Sequence, residues 1–292
     1  MSDDLETERM RGWLVSVIRF PLTRIVLALA ALVAASFLWA RVLSALHHLI
    51  LGRAADTQWL YQITLVVIYH FIYVGFVRLV ERRPARELSR GGAVGELGKG
   101  MLLGAAFLSA VVGLVAAFGF YQVVTVHRWT AVLAPLAIAV MSGYTEEIMF
   151  RGVLLRIAEE SLGTWLALLI SSLLFGVVHA SNPGATVVST LAIVLEAGVL
   201  LGAVYVLTRR LWMAIGTHFA WNFTQAGIFG VNISGNEAGG LLESQLSGPD
   251  LISGGSFGVE ASIFAIVIGL ALGAVFLALA HRRGHFAKPF WS

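Results

Sequence analysis

Three short stretches of this 292-residue chain set ionisable and amide side chains inside otherwise apolar sequence. In GYTEEIMFRG, residues 143–152, Glu147 and Arg151 stand one helical turn apart with the acid on the N-terminal side. That is the favourable order for an ion pair along one helix face. Glu146, rotated about 100° away on the same helix, has no such partner. FGVVHA carries Phe175 and His179, and THFAWN carries His218 and Asn222, again one turn apart. A carboxylate with an imidazole can bind and deprotonate a water, and an imidazole with an amide can donate hydrogen bonds to a developing oxyanion. Alternatively, Glu146, His179 and His218 can ligate a divalent metal such as zinc that activates the water. Lone polar residues commonly glue membrane helices together. Each stretch alone is therefore unspecific, and it is their conjunction on three helices that points to chemistry. Glu196, in a further apolar segment, can line the same cavity or satisfy a structural hydrogen bond. His70, between Tyr69 and Tyr73, reads as packing, and His47 and His48 as chemically silent residues near a membrane surface.

The elements that must position these residues are membrane helices. Hydrophobic residues make up 58% of the chain and charged residues 13%, against about 25% charged in soluble domains. Residues 25–40, 57–77, 101–126 and 261–280 contain no Asp, Glu, Lys or Arg, and a span needs roughly 20 apolar residues. Residues 161–195 are also free of formal charge, but Asn182-Pro183-Gly184 divides them, because that sequence ends helices. The expectation is an all-α, polytopic membrane bundle of about eight transmembrane helices around an intramembrane cavity. The expected spans are about 22–46, 57–80, 100–126, 129–156, 163–181, 185–208, 211–230 and 257–280. Residues 1–292 read as a single integral membrane domain, since no soluble domain is visible.

Charge orients the bundle. Of the 20 Lys and Arg residues, all but Arg41, Arg53 and Arg128 fall on the side of the N-terminus when eight spans are counted. The positive-inside rule then puts both termini in the cytoplasm. The N-terminal MSDDLETERMRGW is too acidic and polar for a signal peptide, so the first span serves as the insertion signal. The absence of cysteine excludes disulfides, thiolate metal sites and cysteine nucleophiles. Juxtamembrane arginine explains the net charge of +3, which gives no reason to invoke nucleic acid. The glycine-rich stretch at 227–258 reads as an extracytoplasmic lid or tether. The fifth span carries a geometric difficulty: a straight helix would put His179 about 28 Å beyond Glu160, whereas Glu146 lies about 15 Å from Arg156 by the same rise. Either that helix tilts steeply or residues 159–165 dip into the bilayer before it begins.

EEIMFR (146–151), FGVVH (175–179) and HFAWN (218–222) resemble, in order, the EExxxR, FxxxH and HxxxN motifs of the CPBP family of intramembrane proteases. That family includes Rce1-type CAAX prenyl endopeptidases and bacterial Abi-type members. The resemblance covers about 130–235, and the eight-span count agrees with that fold. It implies that Glu146 is the general base, that His179 holds or polarises the water, and that His218 and Asn222 stabilise the oxyanion. Glu147 and Arg151 would be a structural pair. Both a zinc and a metal-free glutamate mechanism have been argued for the family, and the metal-free route is the expectation here. The implied partners are a membrane protein or peptide substrate and the lipid bilayer, in a bacterial-type plasma membrane. A non-catalytic scaffold or chaperone of the same fold, and a proton-coupled transporter, are the alternatives from other functional classes.

Overall fold

The computed structural model describes Val17, residues 20–46 and residues 58–292; Arg9, Arg11, Arg19, His47, His48 and Arg53 lie outside the described residues. The long helices are α1 (Pro21–Leu46), α2 (Gln58–Leu79), α3 (Ala93–Ala117), α4 (Leu133–Glu147) and α5 (Arg156–His179). They are followed by α6 (Val187–Ile193), α7 (Val199–Thr208), α8 (Trp212–Asn222), the single turn α9 (Asp250–Ser253) and α10 (Ile263–Arg282). Three π-helical stretches interrupt or extend this series: Ile148–Leu155 joins α4 to α5, Val194–Gly198 joins α6 to α7, and Phe223–Ile228 continues α8.

Six helical stretches among the described residues are long and apolar enough to cross a membrane, the longest running unbroken by assignment from Trp129 to His179. Gly163 divides that stretch in two. Its φ of 71° and ψ of 169° are not helical, and the positive φ suits a residue without Cβ. The chain turns back on itself there, so that Ser171 Oγ donates to Phe150 O at 3.1 Å. Trp212–Asn222, extended by its π turn to Ile228, is shorter than the other spans and completes the bundle of eight. The difficulty at the fifth span disappears for a reason other than the two foreseen. The fourth span does not end near Arg156 but continues to the turn at Gly163, placing Glu146 and His179 each about 25 Å of helix from the turn.

Two other boundaries differ from expectation. The third span ends at Ala117, and Tyr121–Val126 forms a strand, β1, rather than the last turns of a helix. Its YQVVTV sequence is rich in β-branched residues, which favour strands. It pairs antiparallel with β2 (Leu242–Leu246) from Tyr121 opposite Leu246 to Val126 opposite Leu242. The 227–258 stretch is therefore built rather than a plain tether. The last span begins at Ile263 instead of 257, behind two short 3₁₀ turns that contain Glu260.

The connected α6–α7 segment lies at the centre, with 67% of its most apolar window buried, against 17% for α1 and 28% for α2 and α10. The outer helices expose large apolar side chains such as Phe37, Leu38 and Phe71, as a lipid-facing surface requires. Helix α3 lies against α8 at backbone distance. A Cβ on Gly104 would stand 2.1 Å from Thr217 O, so only a hydrogen fits, which is the close approach that small residues permit between membrane helices.

At one end of the bundle an ionic cluster ties α1, α2 and α5 together. Arg24 bonds Glu81 at 3.3 Å and also pairs with Glu160, while Arg156 reaches Glu81 at 2.8 Å. Arg83 bonds Glu87 at 2.9 Å, and Tyr73 donates to the same carboxylate. Burial alone would push the Glu87 carboxyl up, but the bonds from Arg83 and Tyr73 hold it below the usual carboxylate range.

Candidate active site

The three motif helices meet near the centre of the molecule, and two of them carry a π-helical stretch at the motif. One follows Glu146 and Glu147 and another follows Asn222, while a third such stretch, on the neighbouring α6–α7 segment, contains Glu196. Such i→i+5 turns widen a helix locally and re-aim its side chains, and they recur at functional sites.

Glu147 and Arg151 are fully buried and paired at 2.8 Å. Arg151 Nη2 donates across the helix interface to the carbonyls of Ala197 at 3.0 Å and Gly198 at 3.2 Å, while its Nε is without a partner among the described residues. Its guanidinium also lies 4.6 Å from the Phe175 ring centroid, a cation–π contact. The pair thus clamps three segments: its own helix, α5 through Phe175, and the Val194–Gly198 turn. Glu147 does a second thing that spacing did not suggest. Its Oε1 accepts a hydrogen bond from His218 Nδ1 at 2.9 Å, fixing that ring from a residue 71 positions away.

His179 is oriented in parallel fashion. Its Nδ1 donates to Phe175 O at 2.6 Å. With both Nδ1 atoms committed as donors, both rings turn Nε2 towards Glu146. Glu146 Oε2 lies 3.9 Å from His179 Nε2 and 3.8 Å from His218 Nε2. These separations exceed a direct hydrogen bond. The same oxygen has no hydrogen-bond partner among the described residues. The Glu146 side chain keeps 29% of its exposure, whereas that of Glu147 keeps none. Asn222 points its amide nitrogen to Ser142 Oγ at 2.9 Å, on the Glu146 helix.

These groups open on a cavity of about 730 Å³. Its lining includes Glu146, His179, His218, Asn222 and Ser142, with Met141, Met149, Phe150 and Phe175 as apolar wall. Glu196 lines it too, fully buried and with neither carboxyl oxygen hydrogen-bonded. Further lining residues were not anticipated, among them Gln62 from α2, Asn182 from the α5–α6 turn, Glu237 and, from the segment before α10, Glu260. Glu260 stands at the head of a charge-free apolar run, and that isolated acid was the available signal. His70, expected to pack, hydrogen-bonds through Nδ1 with Tyr144 OH at 2.6 Å.

Two imidazoles and a carboxylate are the right donor types for zinc. Their spacing is not that of a closed site. Ligands about 2.1 Å from a tetrahedral ion would be roughly 3.4 Å apart, nearer than the 3.8 and 3.9 Å found here. Among the described residues no group of three or more His, Asp or Glu is arranged to hold an ion, so the designation metalloprotease is not supported.

Residues 127–224 match the family model described as Type II CAAX prenyl endopeptidase Rce1-like. The matched segment contains Glu146, Glu147, Arg151, His179, Glu196, His218 and Asn222, and ends before Glu260. No curated protein and no solved structure gives a significant match.

Proposed function

We propose, taking as premise that residues 127–224 are an Rce1-like CAAX-endopeptidase domain, that this integral membrane protein cleaves peptide bonds within or beside the bilayer. The observation that carries the reading is the convergence of His179 Nε2 and His218 Nε2 on one unpartnered Glu146 oxygen at the wall of the cavity.

In the proposed reaction a water seated between these groups donates one hydrogen to Glu146 and the other to His179 Nε2. Its oxygen attacks the scissile carbonyl carbon as its proton passes to Glu146. The new oxyanion accepts hydrogen bonds from Asn222 Nδ2 and from protonated His218 Nε2, whose Nδ1–H remains held by Glu147. The C–N bond then breaks, and Glu146 returns the proton to the departing amine. Two fragments result, together one water heavier than the substrate. Each role falls within the ordinary reach of general-base and oxyanion catalysis, and no step is routed through a metal. The substrate is a membrane protein segment or a peptide. Basic residues concentrated on one side support cytoplasmic termini in a bacterial-type plasma membrane.

A scaffold of the same fold would have no use for a buried-edge carboxylate left without a partner between two oriented imidazoles. A proton-coupled transporter would use Glu and His as a relay, but that reading does not account for Asn222 beside Ser142.

The test is to incubate the purified protein, reconstituted in lipid bilayers, with a mixed peptide library and to read new termini by mass spectrometry, with and without a chelator. Fragment pairs that appear at the same rate under chelation are expected. An absence of fragments from protein of proven fold would overturn the enzyme, and loss on chelation with recovery on adding zinc would overturn the metal-free route. On a peptide so found, Asn222→Ala is expected to lower kcat about 10²-fold with little change in KM, because its oxyanion bond forms only at the transition state. A rise in KM alone would instead make Asn222 a substrate-binding residue.

A further inference from the structure

We propose that the cavity holds a subsite for a cationic side chain, lysine or arginine, flanking the scissile bond, with Glu196 and Glu260 as its counter-charges; this rests on the proteolytic reading above and adds a substrate class to it.

Among the described residues the cavity is lined by four carboxyl groups, Glu146, Glu196, Glu237 and Glu260, and by no lysine or arginine. The nearby guanidinium, Arg151, is already committed to Glu147 and to the Ala197 and Gly198 carbonyls. It makes no ion pair with Glu196, whose two oxygens are without partners among the described residues. Glu196 follows from the same accounting. It is fully buried at the centre of the bundle, and both of its oxygens lack a partner. Burying a carboxyl in that condition is costly, and one retained inside a membrane is by default a candidate for function.

Glu260 completes the subsite from the other side. It is 2% exposed, and its Oε1 is held in place by the Ser234 backbone N–H and by Ser234 Oγ at 2.8 Å. These are neutral donors, so they orient the carboxyl without supplying a counter-charge. Glu196, Glu260 and His179 line the same cavity. The acidic pair therefore adjoins the reacting end of the cavity. A cation between the two carboxyls relieves their repulsion and supplies the partner Glu196 lacks. A substrate that brought its own carboxylate to this place, as a cut next to a free C-terminus would, meets like charge instead.

The test uses matched peptides that differ at one position beside the cut, carrying lysine, methionine or glutamate there. Wild-type protein is expected to favour lysine over methionine by about tenfold or more in kcat/KM, the range of a desolvated charge pair, and to disfavour glutamate. Glu196→Gln and Glu260→Gln are expected to lose that preference, the lysine-to-methionine ratio falling towards one, while unfolding at the wild-type midpoint, which shows that they are folded. Equal preference in wild type and both variants would overturn the subsite. Equilibrium binding of the same peptides to Glu146→Gln separates the two readings. A lysine preference in binding that disappears on adding Glu196→Gln, with no cleavage by wild type, would sink the protease and keep the subsite. Cleavage without any charge preference would do the reverse.

Discussion

Arg151→Leu is expected to lose about 3–5 kcal/mol of stability, because it strands a buried carboxylate without its counter-charge. Glu147 and Arg151 are both fully buried and 2.8 Å apart, so no water can replace the lost partner. The substitution also removes the bonds to the Ala197 and Gly198 carbonyls and the contact with Phe175. The double variant with Glu147→Leu is expected to recover at least half of the loss, since an apolar pair needs no desolvation. It is not expected to recover activity, because His218 Nδ1 then has no acceptor. Equilibrium unfolding in detergent, run beside a cleavage assay, reads both parts. A double variant as active as wild type would show that Glu147 does no more than neutralise Arg151.

Glu146→Gln is expected to lower the rate of cleavage by about 10²–10⁴-fold, the usual contribution of a general base. The amide is nearly isosteric, and Oε2 of the native residue bonds nothing among the described residues, so the unfolding free energy is expected to hold within about 0.5 kcal/mol, as for substitutions that break no native bond. This contrast with Arg151→Leu separates two adjacent acids by function: one supports the fold and the other does the chemistry. Loss of both rate and stability in Glu146→Gln would mean that Glu146 also carries structure.

Much of this was legible in local spacing. Glu147 and Arg151 at i, i+4 form the pair that this interval favours, and the apolar runs around them mark spans. What spacing could not reveal was set by contacts distant in sequence. The bond from His218 to Glu147 joins two helices by a packing that neither sequence dictates alone. The π-helical stretches next to the motifs arise from the same packing. Strand β1 was read as helix because a charge-free apolar run signals a span whatever its partner, and its partner at 242–246 lies across the chain. A break between the fourth and fifth spans was legible at about 157–162, but not that the turn itself falls at Gly163. A single glycine without proline is a weak stop, and what holds it is the C-terminal segment, with Thr164 N donating to Ala287 O at 3.1 Å. Glu260 was absorbed into the expected last span, although it belongs to the cavity.

The central claim is that Glu146 activates water to cut peptide bonds, and the most direct measurement compares peptide termini in membranes carrying the wild-type protein with those carrying Glu146→Gln at equal abundance. Termini present only with wild type are predicted, and they would name the substrates and cut sites together. Identical terminus profiles, with both proteins folded, would contradict the account.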